Sequence, residues 1–178
     1  MLILASKSPR RQELLSMITT DFEVKSADVD ETLPQGLSPA TAVEYLSKIK
    51  AEPFNDGKNT VIGADTVVAI DDKILGKPNG VEDAFSMLRL LSGRYHSVFT
   101  GVTVIAPNCS QTFHVETRVK FFELSDEEIK NYISTCESFD KAGAYAIQGK
   151  GALLVERIEG DYFNVVGLPI STLNQKLF

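Results

Sequence analysis

Apolar positions in this 178-residue chain fall into short runs and periodic stretches that predict strands mixed with helices. Leu2-Ile3-Leu4-Ala5 reads as a short buried strand. Ser8-Pro9 then opens a helix, with Ser at the N-cap, Pro in the first turn, and Leu14, Leu15 and Ile18 as its apolar stripe. Phe22–Ser26 reads as a strand, and Asp28–Gly36 as an acidic, irregular loop. Ser38-Pro39 opens a second helix running to about Glu52, and Pro53–Gly57 is a loop. Thr60–Ile70, rich in Val and Ile, is the strongest strand, and a turn at Asp71-Asp72-Lys73 returns it through Ile74-Leu75. Val81–Leu91 places Ala84, Leu88 and Leu91 on one helical face. Val98–Ala106 and Phe113–Phe122 are strands joined near Pro107-Asn108. Ser125-Asp126-Glu127-Glu128 is a capping box opening a helix to about Cys136. Tyr145–Ile147 and Leu153–Ile158 read as further strands, and Pro169–Leu177 as a closing helix. The elements do not alternate as strict βαβ units. The expected fold is therefore a single α/β domain over residues 1–178 on a mixed twisted sheet, with room for two lobes around a cleft.

Composition narrows the class. A hydrophobic fraction of 43% with 24% charged residues is ordinary for a folded domain and argues against disorder. Eighteen basic against 24 acidic residues give a net charge of −6, which disfavours long nucleic acids and anionic membranes as partners. It leaves room for a small anion held by a few local cations. Cys109 and Cys136 lack metal-ligand spacing and are too few for a disulfide framework. No apolar run approaches the roughly 20 residues of a membrane span, and the expected location is the cytoplasm.

Candidate chemistry begins at Ser6-Lys7-Ser8-Pro9-Arg10-Arg11. A strand ends there and a helix begins, so backbone N–H groups and the positive helix end favour an anion. Lys7, Arg10 and Arg11 oppose the helix dipole, which makes them poor choices for stability alone. Asp65 interrupts an otherwise apolar strand, where a carboxylate must be paired, bound to metal or turned to a polar cleft. Alternation puts it on the face of Gly63 and Val67, with Gly63 leaving space beside it and Thr66 on the opposite face. Asp28 and Asp30 share one face if their loop is extended, and carboxylates suit Mg²⁺ or Mn²⁺. A solvated acidic loop is the other reading. Lys48, Lys50 and Lys77 are candidate phosphate contacts or plain surface lysines. Gln148 can both donate to and accept from a base edge. With only His96 and His114, zinc has no supporting pattern.

Seven blocks then carry a resemblance: Ser6–Arg11, Gly63–Val68, Leu75-Gly76-Lys77-Pro78, Ser92–Val98, Asp140–Tyr145, Ile147-Gln148-Gly149 and Gly160–Pro169. In this order they resemble the Maf family of nucleoside triphosphate pyrophosphatases. The resemblance implies a fold related to inosine triphosphate pyrophosphatase, with an elongated mixed sheet, flanking helices and a deep central cleft. It also implies cleavage of a nucleoside triphosphate between the α and β phosphates with a divalent metal. It implies Asp65 as proton acceptor, Asp30 assisting at the metal, and phosphate binding by Ser8, Arg11, Lys50 and Lys77. Arg10, Thr66 and Gln148 match the branch that prefers dTTP and UTP. The resemblance also implies a homodimer. An alternative is a nucleotide-binding regulator of cell division without significant turnover. Since Asp65 and Thr66 should point apart, a bulge or strand end is expected between them.

Overall fold

The computed structural model describes residues 1–177, and Phe178 lies outside them. Its strands are β1 (Leu2–Ala5), β2 (Glu23–Lys25), β3 (Thr60–Ile70), β4 (Lys73–Leu75), β5 (Tyr95–Ala106), β6 (Cys109–Phe121) and β7 (Val155–Glu159). They form one sheet in the order β2-β1-β3-β5-β6-β7, with β4 paired to β3 off that path. β1 runs parallel to β2 and β3, and every other pairing is antiparallel, so the sheet is mixed as expected. The helices are α1 (Pro9–Ser16), α2 (Pro39–Ala51), α3 (Val81–Leu91), α4 (Asp126–Ile133), α5 (Tyr162–Val166) and α6 (Ile170–Leu177).

Local chemistry explains most boundaries. Ser38 accepts from the Thr41 amide and starts α2, and the Ser125–Glu128 capping box starts α4. Asp71 and Asp72 both have positive φ, the geometry of a tight two-residue hairpin between β3 and β4. The β5–β6 hairpin also turns on two residues, Pro107 and Asn108, so β6 begins at Cys109 rather than Phe113.

Two expectations fail. Tyr145 is extended but pairs with no strand, and Gly149–Leu154 coils in 3₁₀ turns, so β7 begins only at Val155. Within those turns Gly151 packs so tightly that a Cβ there would sit 2.0 Å from the Ala146 carbonyl oxygen. Helix α5, capped by Asp161, lies in a stretch with no element assigned from the sequence.

Helix α2 lies against one face of the sheet. Gly63 and Gly101 let it approach: a Cβ at either would stand 2.2 Å from a backbone oxygen of α2, at Ser47 and Val43 respectively. Gly63 therefore leaves no open space beside Asp65, because α2 fills it. Two apolar clusters pack beside the sheet's other face. One joins Leu14 and Leu15 of α1 to Ile62, Ala64 and Leu173. The other joins Leu88 and Leu91 of α3 to Ile129 of α4, Val68 and Phe121. Val155 and Val165 pack against both, and Ile147 and Val166 of the first and Val68 and Tyr145 of the second line a cleft between them.

Candidate active site

The cleft exists because β3 outruns its neighbours. β1 pairs Leu2–Ala5 with Thr60–Gly63, and β4 pairs Lys73–Leu75 with Val68–Ile70. Between them Ala64–Val67 carry no strand on that edge, while β5 covers the other edge without a break. A cavity of about 490 Å³ opens against this free edge. Asp65 and Thr66 both line it, from opposite faces of the strand. The expected bulge is absent: Asp65 faces Gly101 and Thr66 faces Thr100 in continuous register. An unpaired edge, not a distorted backbone, brings both side chains to one space.

On the α2 face, Lys50 reaches back from the last turn of its helix to Asp65, with Nζ 2.5 Å from Oδ1. The same ammonium lies 3.0 Å from Glu31 Oε2. Lys50 and Asp65 are largely buried and Glu31 half exposed. Two carboxylates from different segments thus converge on one cation at the cavity wall. Among the described residues no group of three or more His, Cys, Asp or Glu gathers for a metal. Two carboxylates suffice for Mg²⁺ or Mn²⁺ when phosphate supplies further oxygens. The all-oxygen donor set, already closed around a positive charge, fits such an ion.

On the other face, the start of α1 closes the cavity. Ser8 sits at the N-cap with an extended backbone and lines the cavity, and its hydroxyl makes no capping bond. Arg11 is held from several sides. Its Nε donates to the Gly167 carbonyl at 2.8 Å, one terminal nitrogen to Thr66 Oγ1 at 3.1 Å, and the other to Ser6 Oγ at 3.4 Å. Burial pulls its pKa down, and the Asp65 charge opposes that pull.

Arg10, Lys77 and Gln148 also line the cavity. Lys77 is brought there by a turn that docks on the Asp140–Tyr145 segment, whose Gly143 amide donates to the Gly76 carbonyl at 3.0 Å. Lys7, Asp28 and Asp30 do not line it and are exposed. Asp30 instead accepts from the Thr32 amide at 2.9 Å. Lys48 also stays outside, 3.8 Å from Glu52 one turn along α2.

Three charged lining residues, Glu31, Asp140 and Lys141, were given no role from the sequence. Glu31, next to Asp30, was hidden by its neighbour, and only the direction of the loop separates them. Lys141 lies in a block already singled out, and its side chain is 13% exposed and paired with Asp140. Partial burial acts to raise the Asp140 pKa, but the Lys141 hydrogen bond and the Lys141 and Arg10 charges hold it below the usual carboxylate value.

The architecture is shared with Ham1 proteins. A HAM1 protein from Coxiella burnetii aligns over 99% of this chain and 97% of its own length, with a TM-score of 0.56 at 11% identity. A Staphylococcus aureus Ham1 protein aligns over 67% and 71%, with a TM-score of 0.50 at 17% identity. Within that class the sequence is more specific: the Maf-like protein model matches residues 1–178, and the chain belongs to the Maf family. A Geobacillus protein named dTTP/UTP pyrophosphatase is 52% identical over 172 residues, 96% of this chain and 92% of the relative. A Bacillus pumilus protein of the same name is 51% identical over 96% and 91%.

Proposed function

We propose that this protein hydrolyses dTTP and UTP, with modified pyrimidine nucleotides as further candidates, to the nucleoside monophosphate and pyrophosphate. Such an activity would cleanse the cytoplasmic nucleotide pool. The observation that carries the reading is the pair of carboxylates, Asp65 and Glu31, closed on Lys50 inside a cleft lined with cations. The names of the Geobacillus and Bacillus relatives support the choice of substrate.

Asp65 takes the proton of the water that attacks the α phosphorus. Lys50 and Glu31 fix its orientation. Lys50 and Lys77, with Ser8 at the start of α1, meet the phosphate oxygens, and two N–H bonds of Arg11 remain for the same task. Asp65 and Glu31 would hold a Mg²⁺ or Mn²⁺, which supplies charge neutralisation on the phosphates and acidifies water. Arg10, Thr66 and Gln148, which line the same cavity, would read the base.

The test is pyrophosphate release from a panel of canonical nucleoside triphosphates with Mn²⁺ or Mg²⁺. UTP and dTTP should be hydrolysed fastest, and a chelator should stop the reaction. No release from any nucleotide would reject the enzyme reading, and a purine preference would reject the base assignment.

A further inference from the structure

Lys50 carries one positive charge and meets two carboxylates. Its Nζ lies 2.5 Å from Asp65 Oδ1 on β3 and 3.0 Å from Glu31 Oε2 on the loop before α2. The ammonium therefore sits between the two acids that would hold a divalent ion. Each carboxylate oxygen has lone pairs for more than one partner, so the conflict is not a shortage of acceptors. It is one of charge. The Lys50 and Asp65 side chains are 17% and 13% exposed. Water screens little there, and an ion on the same acids would stand against the ammonium. The rest of the cleft adds to this conflict. Five basic side chains line it against Glu31, Asp65 and Asp140. A bare divalent cation enters against the field of that lining. A triphosphate that already chelates the ion keeps a net negative charge and enters with the field.

We infer that Lys50 holds Asp65 and Glu31 closed to a bare divalent ion and yields them only to a metal–triphosphate chelate, whose phosphate oxygens draw the ammonium away from the acids. The flexible four-carbon stem of lysine lets the charge move between the two sets of partners. Lys50 thus performs its two duties in turn, fixing Asp65 before the substrate arrives and meeting the phosphates afterwards. The substrate is the chelate, and nucleotide and metal do not enter one after the other. The inference rests on the nucleotide pyrophosphatase reading and names the form in which its substrate is taken.

The experiment measures binding by calorimetry to the wild type and to Lys50→Met, first of Mn²⁺ alone and then of the Mn²⁺ chelate of α,β-methylene-UTP, which cannot be cleaved at that bond. Methionine keeps an apolar stem without the charge. Lys50→Met should bind Mn²⁺ alone about tenfold more tightly than the wild type, within the ordinary range for two ligands coupled through one protein. It should bind the chelate about tenfold more weakly, having lost a charge-assisted bond to phosphate. The double variant Lys50→Met/Asp65→Asn should lose the gain in Mn²⁺ affinity, which places that gain at Asp65. A residue that merely keeps the site folded would weaken both ligands together. The inference is overturned if Lys50→Met binds Mn²⁺ alone no more tightly than the wild type, if the gain survives Asp65→Asn, or if the chelate loses no affinity. If Lys50→Met does not fold, the wild type decides through its urea midpoint. At a concentration where the chelate raises the midpoint, Mn²⁺ alone should leave it unmoved, and a rise with Mn²⁺ alone that Asp65→Asn abolishes overturns the inference. Pyrophosphate release without the gain in Mn²⁺ affinity sinks this inference alone, whereas the gain without release from any nucleotide sinks the enzyme reading alone.

Discussion

Two adjacent acids in one loop meet different fates. Asp30 turns back to the Thr32 amide and stays in solvent, whereas Glu31, with one more methylene, reaches Lys50 at 3.0 Å. The blocks of the sequence pointed to this loop but not to the residue within it, because an irregular segment has no periodicity from which side-chain direction can be read. Asp65 was legible for the opposite reason: one carboxylate in an apolar strand demands a partner. Mutation separates these roles. Asp65→Asn should lower kcat by roughly 10²–10⁴, the range for losing a general base. Near-normal turnover would remove it from the chemistry. Glu31→Gln should lower activity roughly 10–100-fold, the range for disturbing a metal's surroundings. Asp30→Asn should change it by no more than about twofold, as an exposed substitution does. The reverse order in steady-state kinetics would restore Asp30 to the site suggested by resemblance.

Strand β3 shows what alternation can and cannot predict. The pattern correctly placed Asp65 and Thr66 on opposite faces, yet no pattern within one strand reveals that its edge lies bare between β1 and β4. That gap depends on where two other strands end, which is information held elsewhere in the chain. The missing strand at Tyr145–Ile147 has a similar cause, since its apolar residues turn to the cleft and the core from a segment bent by Gly143 and Gly149, both at positive φ. Gly63 could be identified from its strand but not interpreted, because the helix that needs its missing side chain comes from 12 or more residues earlier. Gly101 tests that interpretation. In a strand interior Gly→Ala normally helps, but here the new methyl would stand 2.2 Å from the Val43 carbonyl oxygen. Gly101→Ala should therefore destabilise the fold by about 1–3 kcal/mol and, by lifting the helix that carries Lys50, lower activity as well. A urea midpoint equal to the wild type would mean that α2 does not rest on this face as described.

Across the whole molecule the net charge of −6 hides a division. The cavity lining holds Arg10, Arg11, Lys50, Lys77 and Lys141 against Glu31, Asp65 and Asp140, so the acidic excess lies outside the cleft. A triphosphate meets local cations there, while the remaining surface discourages long polyanions. Protonation reaches the molecule at a different point. His96 is packed edge-on against Phe121 and Tyr145, with Nε2 2.8 Å from the Tyr145 hydroxyl and Nδ1 unpartnered. Burial brings its pKa from 6.5 down to about 4. Between those values the unfolded chain holds a proton that the folded protein excludes, so stability falls as pH drops from about 6.5 toward 4. At the lower end the loss is of order 3 kcal/mol for this group, at 1.36 kcal/mol per pKa unit. Because Tyr145 also lines the cleft, charging His96 would loosen the apolar cluster and the site together. His96→Gln offers Tyr145 an amide partner without the titration. Urea unfolding of both proteins between pH 7 and pH 4.5 should show the wild type losing stability more steeply than the variant as pH falls. Parallel curves would mean that His96 takes up its proton in the folded state as readily as in the unfolded chain.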